Sequence, residues 1–139
     1  MIVLSLEIGS DAHRLPAVAA VVAPVLARLF PPAQAQQLGQ AVREAVANAI
    51  QHGNAADPRA AVGITLALAE DELLIQVSDQ GEGFVPTSTG LCPAALRRPH
   101  GGGLALILAA VTGLDVTCSS GRFLLTLRAA LPTPQTDAA

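Results

Sequence analysis

The chain opens with apolar residues at alternate positions from Ile2 to Ile8, a spacing that is typical of a half-buried β-strand. The pair Ser10–Asp11 then offers a helix cap, and a run rich in Ala, Val and Leu follows to about Phe30. Pro24 lies inside this run and predicts a kink or a break into two helices, because proline cannot donate the helical hydrogen bond. This part of the chain therefore predicts one strand and then one or two helices.

The clearest helix is predicted from Ala33 to His52, where apolar residues recur every three or four positions. The pair Gly53–Asn54 follows and is a suitable helix stop. Further along, residues 62–68 and 73–77 place apolar side chains at alternate positions on either side of a Glu70–Asp71 turn. This pattern predicts a β-hairpin.

The last part of the chain begins with Gly81–His100, a loop rich in Gly, Pro, Ser and Thr. Helical spacing returns at Leu104–Val111, and two final strands are predicted at Leu114–Cys118 and Phe123–Arg128. Because helices and strands do not alternate one for one, the order predicts an α+β fold. We expect a two-layer sandwich in which a mostly antiparallel mixed sheet has its helices on one face. One domain is predicted over residues 1–131, with a flexible tail at 132–139.

Composition narrows the classes of protein that this pattern allows. With 51% hydrophobic and 14% charged residues, the chain can bury one largely aliphatic core. No apolar run reaches the roughly 20 uninterrupted residues of a membrane span, and Glu7 and Asp11 stand where a secretory signal would be basic. A net charge of −3 argues against nucleic-acid binding, and Cys92 and Cys118 lack metal-ligand spacing. We therefore expect a cytoplasmic protein that binds neither membrane nor nucleic acid.

The first candidate for chemistry is a set of polar residues on the long helix. Glu44, Asn48 and His52 are spaced four apart, so they lie on one helical face. A carboxylate and a carboxamide oxygen at this spacing suit Mg²⁺, which takes few protein ligands and keeps its waters and phosphates. The alternative interpretation is a polar helix face that only contacts solvent.

The second and third candidates are glycine-containing segments. Asp79 ends an apolar strand and is followed by Gly81 and Gly83, so a carboxylate and two closely approachable backbone positions could meet a flat ring with an exocyclic amine. The alternative is an ordinary turn. Glycines 101–103 precede a helix, where backbone N–H groups favour an anion, although they could equally form a hinge.

Together and in this order, the three segments resemble the motifs of the GHKL ATPase superfamily, also called the Bergerat fold. Residues 44–53, Glu-Ala-Val-Ala-Asn-Ala-Ile-Gln-His-Gly, are similar to its N box. Residues 79–84 resemble its first glycine box, and residues 101–104 its second. Within the superfamily, the anti-sigma factor serine/threonine kinases look most similar, since they are single domains of about this length with the same helix motif.

The resemblance implies a role for each motif residue. Glu44 would be the catalytic base, Asn48 would coordinate Mg²⁺ and Asp79 would bind the adenine amine of ATP. Lid residues Arg97, Arg98 and His100 could contact phosphates, or could simply be solvated. The other expected nucleotide contacts come from the two glycine boxes: Gly81, Gly83, Gly101, Gly102, Gly103 and Leu104.

One position departs from the family pattern. Members often have Gly-Thr near the start of the last strand, with the Thr supporting the adenine contact. Here Arg122 follows Gly121, so that support is missing or would come from Thr126 or Ser78.

The implied function is an ATP-binding anti-sigma factor that sequesters a sigma factor. It would phosphorylate a Ser or Thr of an anti-anti-sigma antagonist, and a homodimer is a candidate assembly because related proteins are often dimers. Two alternatives stay open: a catalytically inactive, nucleotide-gated binding module, and a detached histidine-kinase ATP-binding domain. A domain without any ligand is the remaining alternative.

Overall fold

The computed structural model describes residues 1–54, 56–80, 103–119 and 122–132. The described part forms five strands and three α-helices, with a short 3₁₀ turn at Ala12–Arg14 and a π-helical turn at Ala49–Gly53. In chain order the elements are β1 (Ile2–Gly9), α1 (Leu15–Leu29), α2 (Pro32–Asn48), β2 (Ala61–Leu68), β3 (Glu72–Asp79), α3 (Gly103–Ala110), β4 (Gly113–Ser119) and β5 (Arg122–Ala130).

The strands form one sheet in the order β1-β2-β3-β5-β4, and each neighbouring pair is antiparallel. The predicted hairpin is β2–β3, with Ile64 opposite Val77. Burial alternates along these strands, so that every second side chain of β2, β3 and β5 faces the core. The predicted α+β architecture is confirmed, with β3 as the central strand.

A single aliphatic core lies between the inward face of the sheet and the helices. α1 contributes Val18, Val22 and Leu26 at helical spacing, and α2 contributes a second buried stripe that includes Leu38 and Val42. α2 packs against both α1 and α3. It is therefore the central helix of its layer, as β3 is the central strand of the sheet.

Pro24 does not divide the first helix. α1 is continuous from Leu15 to Leu29 with Pro24 inside it. The pyrrolidine ring is on the exposed side, while Val22 and Leu26 stay buried on either side of it. The core-facing stripe thus stabilises the helix across the proline, and a break into two helices is not found.

The second helix ends differently from the prediction. α2 stops at Asn48, and residues Ala49–Gly53 form a wider turn in which the N–H of Asn54 bonds to the carbonyl of Ala49 at 2.9 Å. A π turn of this kind inserts one extra residue per turn and is frequent at functional sites. His52 lies in this turn, and its side chain is outside the described part of the structure.

The described residues contain one segment, Ala12–Leu29, that is long and apolar enough to cross a membrane by length and composition alone. In this fold it supplies three core side chains and packs along α2. The expectation that the protein does not contact a membrane stays a prediction.

Candidate functional site

Asp79 is the buried carboxylate of the structure's central strand. It is the last residue of β3 and is only 4% exposed. The other buried polar residues in the described part are Ser10, 1% exposed, and Asn54, 7% exposed. All three lie where β1 ends, β2 begins and β3 ends, which is a single edge of the sheet. We call Ser10, Gly53, Asn54 and Asp79 the polar corner.

Gly53 allows the end of the π turn to approach the carboxylate of Asp79. A Cβ atom at position 53 would overlap Cγ and both oxygens of Asp79. The backbone of Gly53 is not in the left-handed region that usually explains a glycine at the end of a helix. Glycine is therefore needed here for close approach, and the interpretation of Gly53 as a simple helix stop was incomplete.

Asn54 is fully hydrogen-bonded inside the polar corner. Its Nδ2 donates to Oγ of Ser10 at 2.8 Å and to the carbonyl of Ala61 at 3.0 Å. Its Oδ1 accepts the N–H of Gln80 at 2.8 Å. A buried carboxamide needs such partners, because each one left unpaired costs about 1–3 kcal/mol.

Glu44 and Asn48 lie one turn apart on α2, and both side chains are half-buried. Asn48 is the last residue of α2, directly before the π turn whose Gly53 faces Asp79. The structure therefore brings the helix motif and the strand-end carboxylate to the same edge of the fold. Their spacing in sequence had predicted the shared helix face but not the contact with β3.

Several predicted site residues lie outside the described residues. They are Gly81, Gly83, Arg97, Arg98, His100, Gly101 and Gly102. Gly103 begins α3 and Leu104 follows it, which agrees with a glycine segment that leads into a helix. α3 packs against α2, the helix that also holds Glu44 and Asn48.

Thr126 and Ser78 do not replace the missing threonine of the last strand. In β3 both neighbours of Ser78, Val77 and Asp79, are buried, so Ser78 faces the opposite side of the sheet. Thr126 pairs with Gln76, and its side chain also faces away from the core because both of its neighbours in β5 are buried. Neither side chain can therefore support Asp79, which lies on the inward side.

The two polar residues after β1 have separate roles that the sequence left unresolved. Asp11 is the cap of the first turn, since its Oδ1 accepts the N–H of His13 at 2.9 Å. This bond and a second one from the His13 ring lower the pKa of the Asp11 carboxyl below its usual value. Ser10 is instead buried, and its Oγ donates to the carbonyl of Ala60 at 2.7 Å.

Ser10 and Asn54 are the buried polar residues beside Asp79 that the sequence did not reveal. The signal was weak, because a Ser before a helix and an Asn after one are common caps. Only the fold shows that the two side chains bond to each other across 44 residues of chain.

The donor set at this edge fits a metal held mainly by water and phosphate. Among the described residues, no group of three or more His, Cys, Asp or Glu could hold a metal ion. Asn48 and Glu44 offer oxygen ligands, which are the type that Mg²⁺ prefers. The predicted assignment of Mg²⁺ to Asn48 is compatible with this set and stays a prediction.

A separate apolar groove lies between α1 and α2. It has a volume of about 590 Å³ and includes none of Glu44, Asn48 and Asp79. Its lining is mainly aliphatic: Leu15, Val18, Ala19, Val22, Ala23, Ala27, Pro32, Ala35, Gly39 and Val42, with Gln36, Gln40 and Arg43.

The antiparallel sheet, its helix layer and the buried carboxylate at a strand end define a two-layer α+β domain. The chain belongs to the histidine kinase-like ATPase domain family, whose family model matches residues 8–129. The resemblance to the GHKL superfamily is thereby confirmed. No curated protein matches the sequence.

Two solved structures share the fold. One contains the RsbU and RsbW domains of Rv1364c from Mycobacterium tuberculosis, with a TM-score of 0.66 and 22% identity over 94% of this chain and 33% of that one. The other is the histidine kinase domain of the blue-light activated kinase EL346 from Erythrobacter litoralis, with a TM-score of 0.59 and 18% identity over 86% of this chain and 60% of that one. This chain thus spans less than two thirds of either structure, and the likeness concerns the fold.

Proposed function

We propose that the chain binds ATP with Mg²⁺ between the Asp79 carboxylate and the helix face that holds Glu44 and Asn48, and acts as a cytoplasmic anti-sigma regulatory kinase. The observation that supports this most is the buried Asp79 carboxylate at the end of the central strand, against Gly53. A carboxylate in such a place accepts hydrogen bonds strongly, since little water competes for it. The ATPase family and the fold shared with a structure containing an RsbW domain support the proposal.

Each residue would have a limited task in the reaction. Asp79 would accept a hydrogen bond from the exocyclic amine of adenine, and Asn48 would offer its carboxamide oxygen to Mg²⁺. The metal ion, when bound, would neutralise charge on the phosphates. Glu44, half-buried one turn before Asn48, would take the proton from an attacking Ser or Thr hydroxyl. The hydroxyl oxygen would bond to the γ-phosphorus while the bond from that phosphorus to the β–γ bridging oxygen breaks, so that ADP leaves.

The proposed partners are a sigma factor and an anti-anti-sigma antagonist. The chain would hold the sigma factor away from RNA polymerase until the antagonist competes. Phosphorylation of a Ser or Thr on the antagonist would then reset the switch. A homodimer would be the assembly in which it acts.

A nucleotide-gated binding module without catalysis is the second candidate. The observation that favours it is at β5, where Arg122 stands in the place of the family threonine and Thr126 and Ser78 face away from Asp79. Such a module would be stabilised by Mg-ATP, because a ligand that binds only the native state raises the melting temperature. It would transfer no phosphate to any protein.

Two measurements test the proposal. Melting curves with and without Mg-ATP should show stabilisation of the wild type and a smaller shift for Asn48→Ala. The absence of any shift in the wild type would remove the nucleotide site. Transfer from γ-labelled ATP to a candidate antagonist should yield an acid-stable phosphate and should be lost in Glu44→Gln while Mg-ATP binding is kept.

Other results of these two measurements would support one of the alternative functions. Binding without transfer supports the nucleotide-gated module. An acid-labile phosphate supports a histidine-kinase ATP-binding domain. Unchanged transfer by Glu44→Gln would show that Glu44 is not the base.

A further inference from the structure

The Asn54 side chain connects three neighbouring strands at one edge of the sheet. It donates to Ser10, which follows β1, and to the carbonyl of Ala61, which begins β2. It accepts the N–H of Gln80, which follows β3. Because β1, β2 and β3 are consecutive in the sheet, a single carboxamide fixes the relative positions of their ends.

This side chain is not needed to end the helix. The backbone of Asn54 already closes the π turn through its N–H bond to the carbonyl of Ala49 at 2.9 Å. The side chain therefore extends away from the helix, and each of its three hydrogen bonds goes to a strand end. A polar cap that only terminated a helix would bond to the helix itself.

The contact between the π turn and β3 consists of two successive pairs. Gly53 faces the carboxylate of Asp79, and the next residue, Asn54, bonds to the backbone of Gln80, the residue after Asp79. The first pair limits where the carboxylate can lie, and the second fixes the peptide that follows it. Asn54 is 7% exposed and Gln80 is exposed, so this bond is partly buried.

We infer that Asn54 is a positioning residue for base recognition, which holds the Asp79 carboxylate where it can distinguish an exocyclic amine from a carbonyl. The inference rests on the proposed function, since it takes Asp79 as the group that contacts adenine. Loss of the hydrogen bond between Asn54 and Gln80 does not change the Asp79 side chain itself, but it allows the end of β3 to move. Preference for adenine should then fall, whereas affinity that comes from the phosphates should remain.

The test compares ATP with inosine triphosphate, which has a carbonyl in place of the exocyclic amine. Dissociation constants of both Mg-nucleotides are measured by calorimetry for wild type, Asn54→Ala and Ser10→Ala. We expect wild type to prefer ATP by about tenfold or more, because a site built for an N–H donor rejects an analogue without it. In Asn54→Ala the preference should drop to about threefold or less, through weaker ATP binding.

Ser10→Ala is the matched control. It removes hydrogen bonds from the same buried network but leaves the bond between Asn54 and Gln80. It should lower the melting temperature and keep the preference for ATP. A purely structural role for Asn54 would make the two variants alike, so an unchanged preference in Asn54→Ala overturns the inference.

A second measurement uses the native protein and does not depend on how the variant folds. The side chain of Gln80 is exposed and lies beyond the end of β3, yet its N–H should exchange at least about 100-fold more slowly than a free peptide. Exchange at the free-peptide rate would overturn the inference. Wild type that binds neither nucleotide would instead overturn the proposed function, and the inference with it.

Discussion

The polar corner and the groove between α1 and α2 are chemically opposite regions of the same fold. The groove is a large apolar hollow of about 590 Å³, lined mainly by Ala, Val and Leu. The corner buries a carboxylate, a carboxamide and a hydroxyl within a short stretch of strand ends. The groove is distinguished by its apolar lining, whereas the corner is distinguished by its buried polar groups.

The burial of the Asp79 carboxylate explains why the polar corner says more about function than the groove does. A buried carboxylate opposes folding by several kcal/mol unless it is hydrogen-bonded or paired. An aspartate is rarely as little as 4% exposed, so the burial of Asp79 points to a specific role for its carboxylate.

The largest loss of ATP affinity is expected for Gly53→Ala, a substitution in the polar corner. The added methyl group would overlap the carboxylate of Asp79, which must then move. We expect ATP affinity to fall by about 100-fold, corresponding to the loss of a charged hydrogen bond of about 3 kcal/mol. Calorimetry with Mg-ATP measures it, and far-UV circular dichroism confirms folding. Wild-type affinity would show that Asp79 does not contact the base.

The charge of Asp79 should matter less than its position but still be measurable. Asp79→Asn keeps the shape of the side chain and replaces one acceptor oxygen with a donor. We expect ATP to bind about 10-fold more weakly, since a hydrogen bond to a charged group exceeds a neutral one by about 1.5 kcal/mol. Competition with a fluorescent nucleotide provides the measurement, and an unchanged constant contradicts the assignment.

Gly39→Ala makes the same chemical change in the groove. A Cβ atom there would lie 4.0 Å from Cδ1 of Leu26, an ordinary contact, and Gly39 is inside α2. The variant should be more stable by roughly 1 kcal/mol, because alanine is the better helix former. Urea unfolding should show this, with ATP affinity equal to wild type. A large loss of affinity would place nucleotide binding in the groove instead.

The smallest effect is expected on folding stability at Asp11, which follows Ser10 of the polar corner and caps the turn before α1. Its folded-state pKa is lowered, so its stabilising contribution is present above the ordinary carboxyl pKa of 3.8 and is lost as pH falls through the folded value. Asp11→Asn should therefore be slightly less stable than wild type at pH 7. The urea midpoints of the two proteins should converge as the pH falls through the lowered pKa of Asp11, and a constant gap would contradict this origin.

Local patterns were sufficient for most of the fold. Alternating apolar residues in β2, β3 and β5 predicted the strands because half-buried strands require them, and the stripe on α2 predicted the central helix. The continuous α1 could not be predicted from Pro24, since its stability comes from packing by Val22 and Leu26. The π turn after Asn48 also depends on the approach to β3.

The candidate site was predictable where its parts are local. Glu44 and Asn48 share a helix face by spacing, and Asp79 ends a strand by pattern. Asn54 was not predictable, because its bonds to Gln80 and Ser10 span 26 and 44 residues. A sequence motif records neighbours along the chain, whereas the polar corner is made of neighbours across the sheet.

The pairing of β2 with β3 determines which face of the sheet carries the Asp79 carboxylate once the chain has folded. Ser78 lies opposite Gly63 and Val77 opposite Ile64, which directs Asp79 inward. A slip of one residue in β3 would turn every side chain to the other face, so that Ser78 pointed inward and Asp79 pointed to solvent. The aliphatic residues Leu73, Ile75 and Val77 penalise that slip. They determine which side of the sheet carries the Asp79 carboxylate, so a chain with the wrong register could fold and still lack the proposed contact with the base.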